Sequence, residues 1–361
     1  MSVRTVQLGE VCEFIYGDSL KEEHRRPGKV PVFGSNGIVG WHDQAITSGP
    51  TIVIGRKGSI GEINWSSKPC YPIDTTYFVE KTKQPCDLRW LYFTLLKLGL
   101  IRLNKSAAIP GLNREDAYEQ RIPWPDLSEQ KRIAGLLEQA DRLRRTRRYA
   151  LELSDTFLPA AFLQLFGDPR KTTTRWDTEQ LENLGTLDRG KSKHRPRNAP
   201  HLYGGPYPFI QTGDVANAVG YIRTHAQTYS EDGLKQSKLW ATGTLCITIA
   251  ANIGKTAILT YPACFPDSIV GFIPGEKVRV EFVQFWLEFL QETLEKTAPE
   301  VAQKNINLEI LRELRCPVPP LPLQQEFAAL VERQERLRAE QRESSRQADH
   351  LFRSLLHRTF A

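Results

Sequence analysis

The residues best suited to chemistry in this chain are hydrogen-bond donors and cations placed beside glycines. In the first third they are Arg25, Arg26 and Lys29, then Ser35 and Asn36 between two glycines, then Arg56, Lys57 and Ser59 in a basic glycine-rich run. In the second half, Lys191, Lys193, Arg195 and Arg197 form a comparable basic run, followed by Gln211 and Thr212 and by Asn252 and Lys255. Lys105 and Lys304 stand at the start of two further polar loops ending at Asn113 and Asn307. Such sets suit a polyanion: Lys, Arg and backbone N–H groups neutralise phosphate oxygens, and Arg, Lys, Asn, Gln, Ser or Thr on a loop tip can pair with base edges in a groove. Taken singly, each is equally the mark of a solvated loop or a turn.

No catalytic constellation accompanies them. There is no GxGxxG, and Pro319-Pro320 is preceded by Val318 and followed by Leu321, so the acid-or-amide, Pro-Pro, aromatic signature of adenine methylation is absent. Asp126 followed by Glu129 and Lys131 imitates a metal-nuclease pattern, but too little chain separates the acids for them to line two strands. The six cysteines are scattered without a CxxC pair, which argues for core thiols rather than zinc. A net charge of +6 is compatible with a polyanionic partner. The opening MSVRTVQLGE has no apolar signal segment, and the most apolar run, Leu95 to Leu103, is broken by Lys97 and Arg102, so a cytoplasmic, non-membrane protein is expected.

The elements that must hold these residues are legible. In the first 125 residues, Gly34 to Gly37 marks a tight turn between short strands, Thr51 to Gly55 (TIVIG) is a β-branched strand, and Asp87 to Leu98 has helical spacing. From Asp126, with Glu129 three positions on as a capping box, a long helix runs to a Gly167-Asp168-Pro169 stop. About forty residues at 1.5 Å each would reach around 60 Å. Pro159 is expected to kink or interrupt its last third. One heptad row holds Leu136, Leu143, Ala150 and Phe157, and the adjacent row holds Leu137, Leu151, Leu158 and Leu165. Such a stripe demands a partner helix.

The chain then starts over. LENLG at 181–185 answers VQLG at 6–9, PFIQTGDV takes the place of PVFGSNGIVG, and LCITIAANIG takes the place of IVIGRKGSIG. From Cys70 the correspondence becomes a constant offset of 194: Cys70 falls on Cys264, Asn113 on Asn307, Pro125 on Pro319, Gln130 on Gln324, Leu136 on Leu330, Leu143 on Leu337, Phe157 on Leu351 and Phe166 on Phe360. The chain is therefore two repeats, each a globular domain followed by a long amphipathic helix. The helix pair is expected to pack through Leu136, Leu143, Ala150 and Phe157 against Leu330, Leu337 and Leu351. Domain boundaries follow: 1–125, a first globular domain; 126–167, a central helix; 168–320, a second domain; 321–361, a C-terminal helix. The fold class is α+β, two β-rich domains and two long helices in an internal repeat.

Through PVFGSNGIVG, IVIGRKGSIGEINW, IPGLNREDAYEQRIPWPDLSEQKRIAGLLEQADRLRR and the second-half PFIQTGDV and CPVPPLPLQQEFAALV, the sequence resembles the specificity subunits of type I restriction-modification systems. The resemblance covers essentially the whole chain, and the Pro-x-Pro-x-Leu-x-x-Gln element opening each long helix is its most specific part. It implies a non-catalytic DNA-binding subunit in which each target recognition domain reads one half of a split, asymmetric site in double-stranded DNA. The helices would form a long antiparallel coiled-coil pair in a pseudo-two-fold internal repeat, which would set the gap and dock two methyltransferase subunits, with motor and nuclease subunits joining indirectly. No cofactor is implied for the chain itself: S-adenosylmethionine, ATP and Mg would belong to the partners. The first domain is short for the family, which reduces its reading surface. The run Arg142, Arg144, Arg145, Arg147 and Arg148 is then either a solvated helix face or a contact with the spacer DNA. Two other readings stay open, a specificity subunit of a related enzyme outside type I and a coiled-coil adaptor that binds only protein.

Overall fold

A computed structural model describes residues 4–103, 111–171, 175–250, 252–297 and 306–360. Its contacts divide the chain into two units: one runs through Tyr149 and resumes at Arg342, and the other is Ala150–Gln341. The division cuts across the boundaries at 126 and 321, because each long helix gives one half to each unit.

In the first unit, a four-stranded sheet orders Ile15–Tyr16, Thr76–Val79, Thr51–Gly55 and Ile63–Ser66, and a three-stranded sheet orders Gly37–His42, Val30–Gly34 and Tyr71–Pro72. The expected tight turn is present: Gly34 pairs with Gly37, and Gly37 leaves the turn at φ +111°, a conformation that glycine adopts at no steric cost. The helix Leu88–Leu98 lies between sheet and long helices, with Trp90, Leu91, Phe93 and Leu95 buried. Trp90 and Phe93 meet Phe360 and Phe352 at ring distances of 6.3 and 6.1 Å.

The second unit repeats this plan at larger size. Its five-stranded sheet orders Gly185–Arg189, Ile269–Pro274, Leu245–Thr248, Thr256–Leu259 and Tyr221–Ile222; a four-stranded sheet orders Gln227–Tyr229, Tyr203–Phe209, Ala263–Cys264 and Leu239–Trp240. The repeat extends to single backbone bonds. Gly61 N donates to Gly55 O and Gly254 N to Thr248 O, while Leu112 N donates to Arg56 O and Ile306 N to Ile249 O. Gln7 pairs with Arg121 as Gln180 pairs with Arg315. In this unit the helix Val280–Thr297 lays Phe282 and Phe285 against Phe162, Phe166 and Phe327, and stacked and edge-on rings fill the junction.

The two long helices, Leu127–Phe166 and Leu321–Thr359, run antiparallel within each unit. In the first, Arg148 meets Asp349 at 3.5 Å while Arg144 lies 4.2 Å over the Phe352 ring. In the second, Gln334 Nε2 donates to Ser154 O, Arg338 pairs with Asp155, and Phe327 meets Phe162. Buried positions on the C-terminal helix, Gln324, Phe327, Val331 and Gln334 and then Ala348 and Phe352, keep the three-and-four spacing of a coiled coil.

The packing row differs from the expected one. Leu136, Leu143, Phe157, Leu337 and Leu351 are 38–47% exposed, and Ala150 and Leu330 are half-buried; Leu137 at 0% and Leu158 at 6% show that the adjacent row faces inward. Neighbouring positions on a helix are turned by about 100°, so only one of two apolar rows can face a given neighbour. Trp90, Phe93 and Phe282 on the domain helices select the row containing Leu137 and Leu158, with Phe162 one turn beyond Leu158 on the same face.

The helix also continues through Pro159 rather than breaking there. A proline in a helix interior costs about 3 kcal/mol through its lost N–H and its clash with the preceding turn. Leu158 and Phe162 flank it with fully packed side chains, whose burial contributes about 1.5–3 kcal/mol each.

Candidate nucleic-acid interface

In the first domain, the sequence-selected residues separate into two groups. Ser35 is buried, with Oγ 2.5 Å from Lys57 O and 2.7 Å from Thr75 O. Its single proton locks the hairpin tip onto the Arg56–Gly61 loop, so Ser35 positions its neighbours instead of presenting its own hydroxyl. The loop's tightness is set by Gly61, at φ +73°, where an added Cβ would stand 2.4 Å from Ile101 N. What remains outward at this locus is Asn36 on the tip, Lys57 beside it, and the half-buried Arg56 and Ser59. Arg25 and Arg26 form the second group. Arg25 Nη1 donates to Val39 O at 2.8 Å, and Arg26 pairs with Asp43 at 2.9 Å, stapling their segment to the hairpin. Lys29 is exposed.

Three residues not selected from the sequence join the Arg56 locus. The Arg56 guanidinium lies 5.1 Å from the Tyr16 ring centroid and 5.8 Å from that of Tyr77, and Arg114 lies 5.5 Å from Tyr16. Tyr77 OH donates to Leu112 O, and burial pushes its phenol up to about 12, so it stays neutral at physiological pH. Nothing in the sequence marks Tyr16 or Arg114 beyond residue type, because strand pairing and the Asn113 cap bring them together.

In the second domain, Lys191 N bonds to Phe265 O and Ile210 N to Cys264 O, which sets Lys191 and Gln211 on either side of one short strand. Lys191 and Lys193 are exposed, with no side-chain partner among the described residues. Arg195 Nη1 donates to Ser192 O and His194 O, closing its own loop, and Arg197 pairs with Asp267 at 2.8 Å. Gln211 Nε2 donates to Gln227 Oε1, while Thr212 opens the short helix Thr212–Asn217 and is half-buried. Asn252, at φ +55°, turns the loop whose Lys255 Nζ donates to Gln291 Oε1 at 3.1 Å. That loop packs toward the helix Val280–Thr297. Lys105 and Lys304 lie outside the described residues.

The arginine run on the central helix is largely taken up within the fold. Buried Asp141 receives Arg144 at 2.7 Å and Arg145 at 3.0 Å, and lies 3.8 Å from Arg89, whose guanidinium stacks on Trp65, Tyr92 and Phe93. Burial lowers the Arg89 pKa, and Glu138 and Asp141 counter it. Arg142 and Arg147 remain exposed.

The glutamine of each helix-opening element has a defined task. Gln130 and Gln324 are fully buried. Gln130 Oε1 accepts from Asp87 N, and its amide donates to Pro125 O; Gln324 does the same with Arg279 N and Pro319 O. Each ties the start of a domain helix to the start of a long helix. Among the described residues no group of His, Cys, Asp and Glu could hold a metal ion, and no helix is long and apolar enough to cross a membrane.

Known proteins carry the same plan. The chain matches the type I restriction modification DNA specificity domain twice, over residues 2–153 and 174–344. It is 24% identical over 326 residues to the EcoBI type I restriction enzyme specificity subunit of Escherichia coli, covering 78% of this chain and 66% of that protein. It is 24% identical over 171 residues to the MjaIX specificity subunit of Methanocaldococcus jannaschii, covering 45% of this chain and 39% of that protein. The chain thus spans less than two thirds of the length of these relatives. The crystal structure of a type I restriction-modification S subunit from M. genitalium superposes with a TM-score of 0.69 at 17% identity, covering 100% of this chain and 96% of that one. A chain from a structural study of complex assembly and conformational transition in a type I system gives 0.59 at 17% identity, covering 100% and 99%. With both halves matched, and with the repeat present down to individual backbone bonds, the chain belongs to the family of type I restriction-modification DNA specificity domains.

Proposed function

We propose that this chain is the sequence-specific DNA-binding subunit of a type I restriction-modification complex. Each globular domain reads one half of a bipartite duplex site, the helix pair sets the gap, and partner subunits bind S-adenosylmethionine, ATP and Mg and perform the chemistry. The observation that carries this reading is that one backbone scaffold occurs twice in the chain with different outward chemistry on its two copies. Asn36 and Lys57 stand out from one copy, and Lys191, Lys193 and Gln211 from the other. Two copies of one scaffold with unlike reading surfaces suit an asymmetric split target.

The exposed row on the long helices suits the partner. Leu136, Leu143 and Leu351 in the first unit, and Phe157 and Leu337 in the second, leave exposed apolar side chains on the long helices that the intramolecular seam of each unit does not use. Surfaces of this kind mark protein interaction, and we assign this one to methyltransferase subunits. The test is co-purification with the cognate methyltransferase, followed by footprinting and a salt titration. One split duplex sequence is expected to be protected, with affinity falling steeply as salt rises because counterions leave the neutralised phosphates. Failure to co-purify, or protection indifferent to sequence, would sink the proposal.

A further inference from the structure

We infer that Arg56 reads a guanine in the half-site of the first domain, with Tyr16 and Arg114 as its positioning residues; this rests on the DNA-reading function proposed above.

The geometry at Arg56 is that of a prepared donor. Its Nε and Nη2 donate to Asp74 O at 3.2 and 2.6 Å, which fixes the plane of the guanidinium. The Tyr16 ring supports that plane, and Arg114 approaches the same ring while its own Nε lies 3.3 Å from Glu115. The Nη1 end of Arg56 has no hydrogen-bond partner among the described residues. One N–H of Nη1 and the second N–H of Nη2 lie parallel along the terminal edge of the guanidinium, a fork that matches the O6 and N7 acceptors of guanine in the major groove, and the ordering that such a contact needs is already in place. Two guanidinium groups sharing one half-exposed tyrosine ring also repel each other, and an acceptor-rich partner relieves that repulsion.

The repeat shows that the fold does not require this arrangement. Strand register makes Arg189 and Val270 the counterparts of Tyr16 and Tyr77. The matching backbone bonds make Ile249 the counterpart of Arg56, and Leu308, following the Asn307 cap, that of Arg114. The second domain keeps the backbone and places a different set of side chains there. A structural necessity would recur in both copies, whereas a reading residue is free to differ when the two half-sites differ.

The test uses the full chain with its cognate methyltransferase, once the wild-type bipartite sequence has been mapped. Competition binding is measured against duplexes substituted at each base pair of the first half-site, for the wild type and for Arg56→Lys, Tyr16→Leu and Lys57→Ala. Arg56→Lys keeps the charge and loses the fork. It is expected to lower discrimination at one G·C position by about tenfold or more, leaving the other positions and the second half-site unchanged. Tyr16→Leu is expected to weaken discrimination at that same position. Lys57→Ala should instead reduce affinity uniformly and flatten the salt slope, the signature of a phosphate contact. The inference is overturned if Arg56→Lys behaves like Lys57→Ala, or if it leaves discrimination intact everywhere. A wild-type complex that selects no split sequence would instead remove the proposed function itself.

Discussion

At the residue scale, chemistry-bearing type and chemistry-bearing role part company. Ser35 has the type of a base reader, yet its hydroxyl is spent on two carbonyls that hold the hairpin tip. Arg195 and Arg197 have the type of phosphate ligands, yet Arg195 closes its own loop and Arg197 pairs with the distant Asp267, while Tyr16 and Arg114 acquire their place only through long-range pairing. Residue type is local information, and burial and partners are not. Gln130 and Gln324 show the opposite case, where a motif position visible in the sequence proves to be a two-ended buried hydrogen-bond bridge. Replacing Gln130 by Leu leaves Asp87 N and Pro125 O without that partner and is expected to destabilise the first unit by about 2–3 kcal/mol. Chemical denaturation with the same substitution at Gln324 should give a similar loss, whereas an unchanged midpoint in both would contradict the bridge.

At the scale of elements, periodicity located the long helices and their caps but not which of two apolar rows each turns inward. Asp126 Oδ1 accepts from Glu129 N as the helix-start pattern required, and Gly167 ends the helix at φ +88°. The inward row was settled by Trp90, Phe93 and Phe282, which come from sequence far away. Substitution separates the rows directly. Leu137→Ala is expected to cost about 2–5 kcal/mol, as for a fully buried leucine, and Leu136→Ala no more than about 0.5 kcal/mol in the isolated chain. Equal losses at both positions in a denaturation series would contradict the assignment of the seam. Each unit's helix pair also carries ion pairs, Asp141 and Asp349 with Arg144 in the first and Asp155 with Arg338 in the second.

At the scale of the whole molecule, the repeat was the most legible feature: the offset of 194 survives from Leu112 onward in caps and in the pairing of Gln7 with Arg121 and Gln180 with Arg315, whereas the paired strands after Cys70 run at 193, so that Tyr77 is answered by Val270 rather than Gly271. It accounts for the α+β plan and for two domains of one design. The longer second copy was visible only as unmatched length between 190 and 245, and the structure fills that length with added strands and short helices. Which bases are read was not legible, since that depends on where each loop tip meets a groove. The central claim, that one chain carries two independent reading domains, is tested most directly by mapping methylated adenines in cells expressing this chain with its cognate methyltransferase. The same mapping is then repeated with residues 175–320 exchanged for those of a relative. The account predicts a single two-part sequence with a constant gap, of which the exchange alters one part and leaves the other intact. A contiguous sequence, or a change in both parts on exchange, would contradict it.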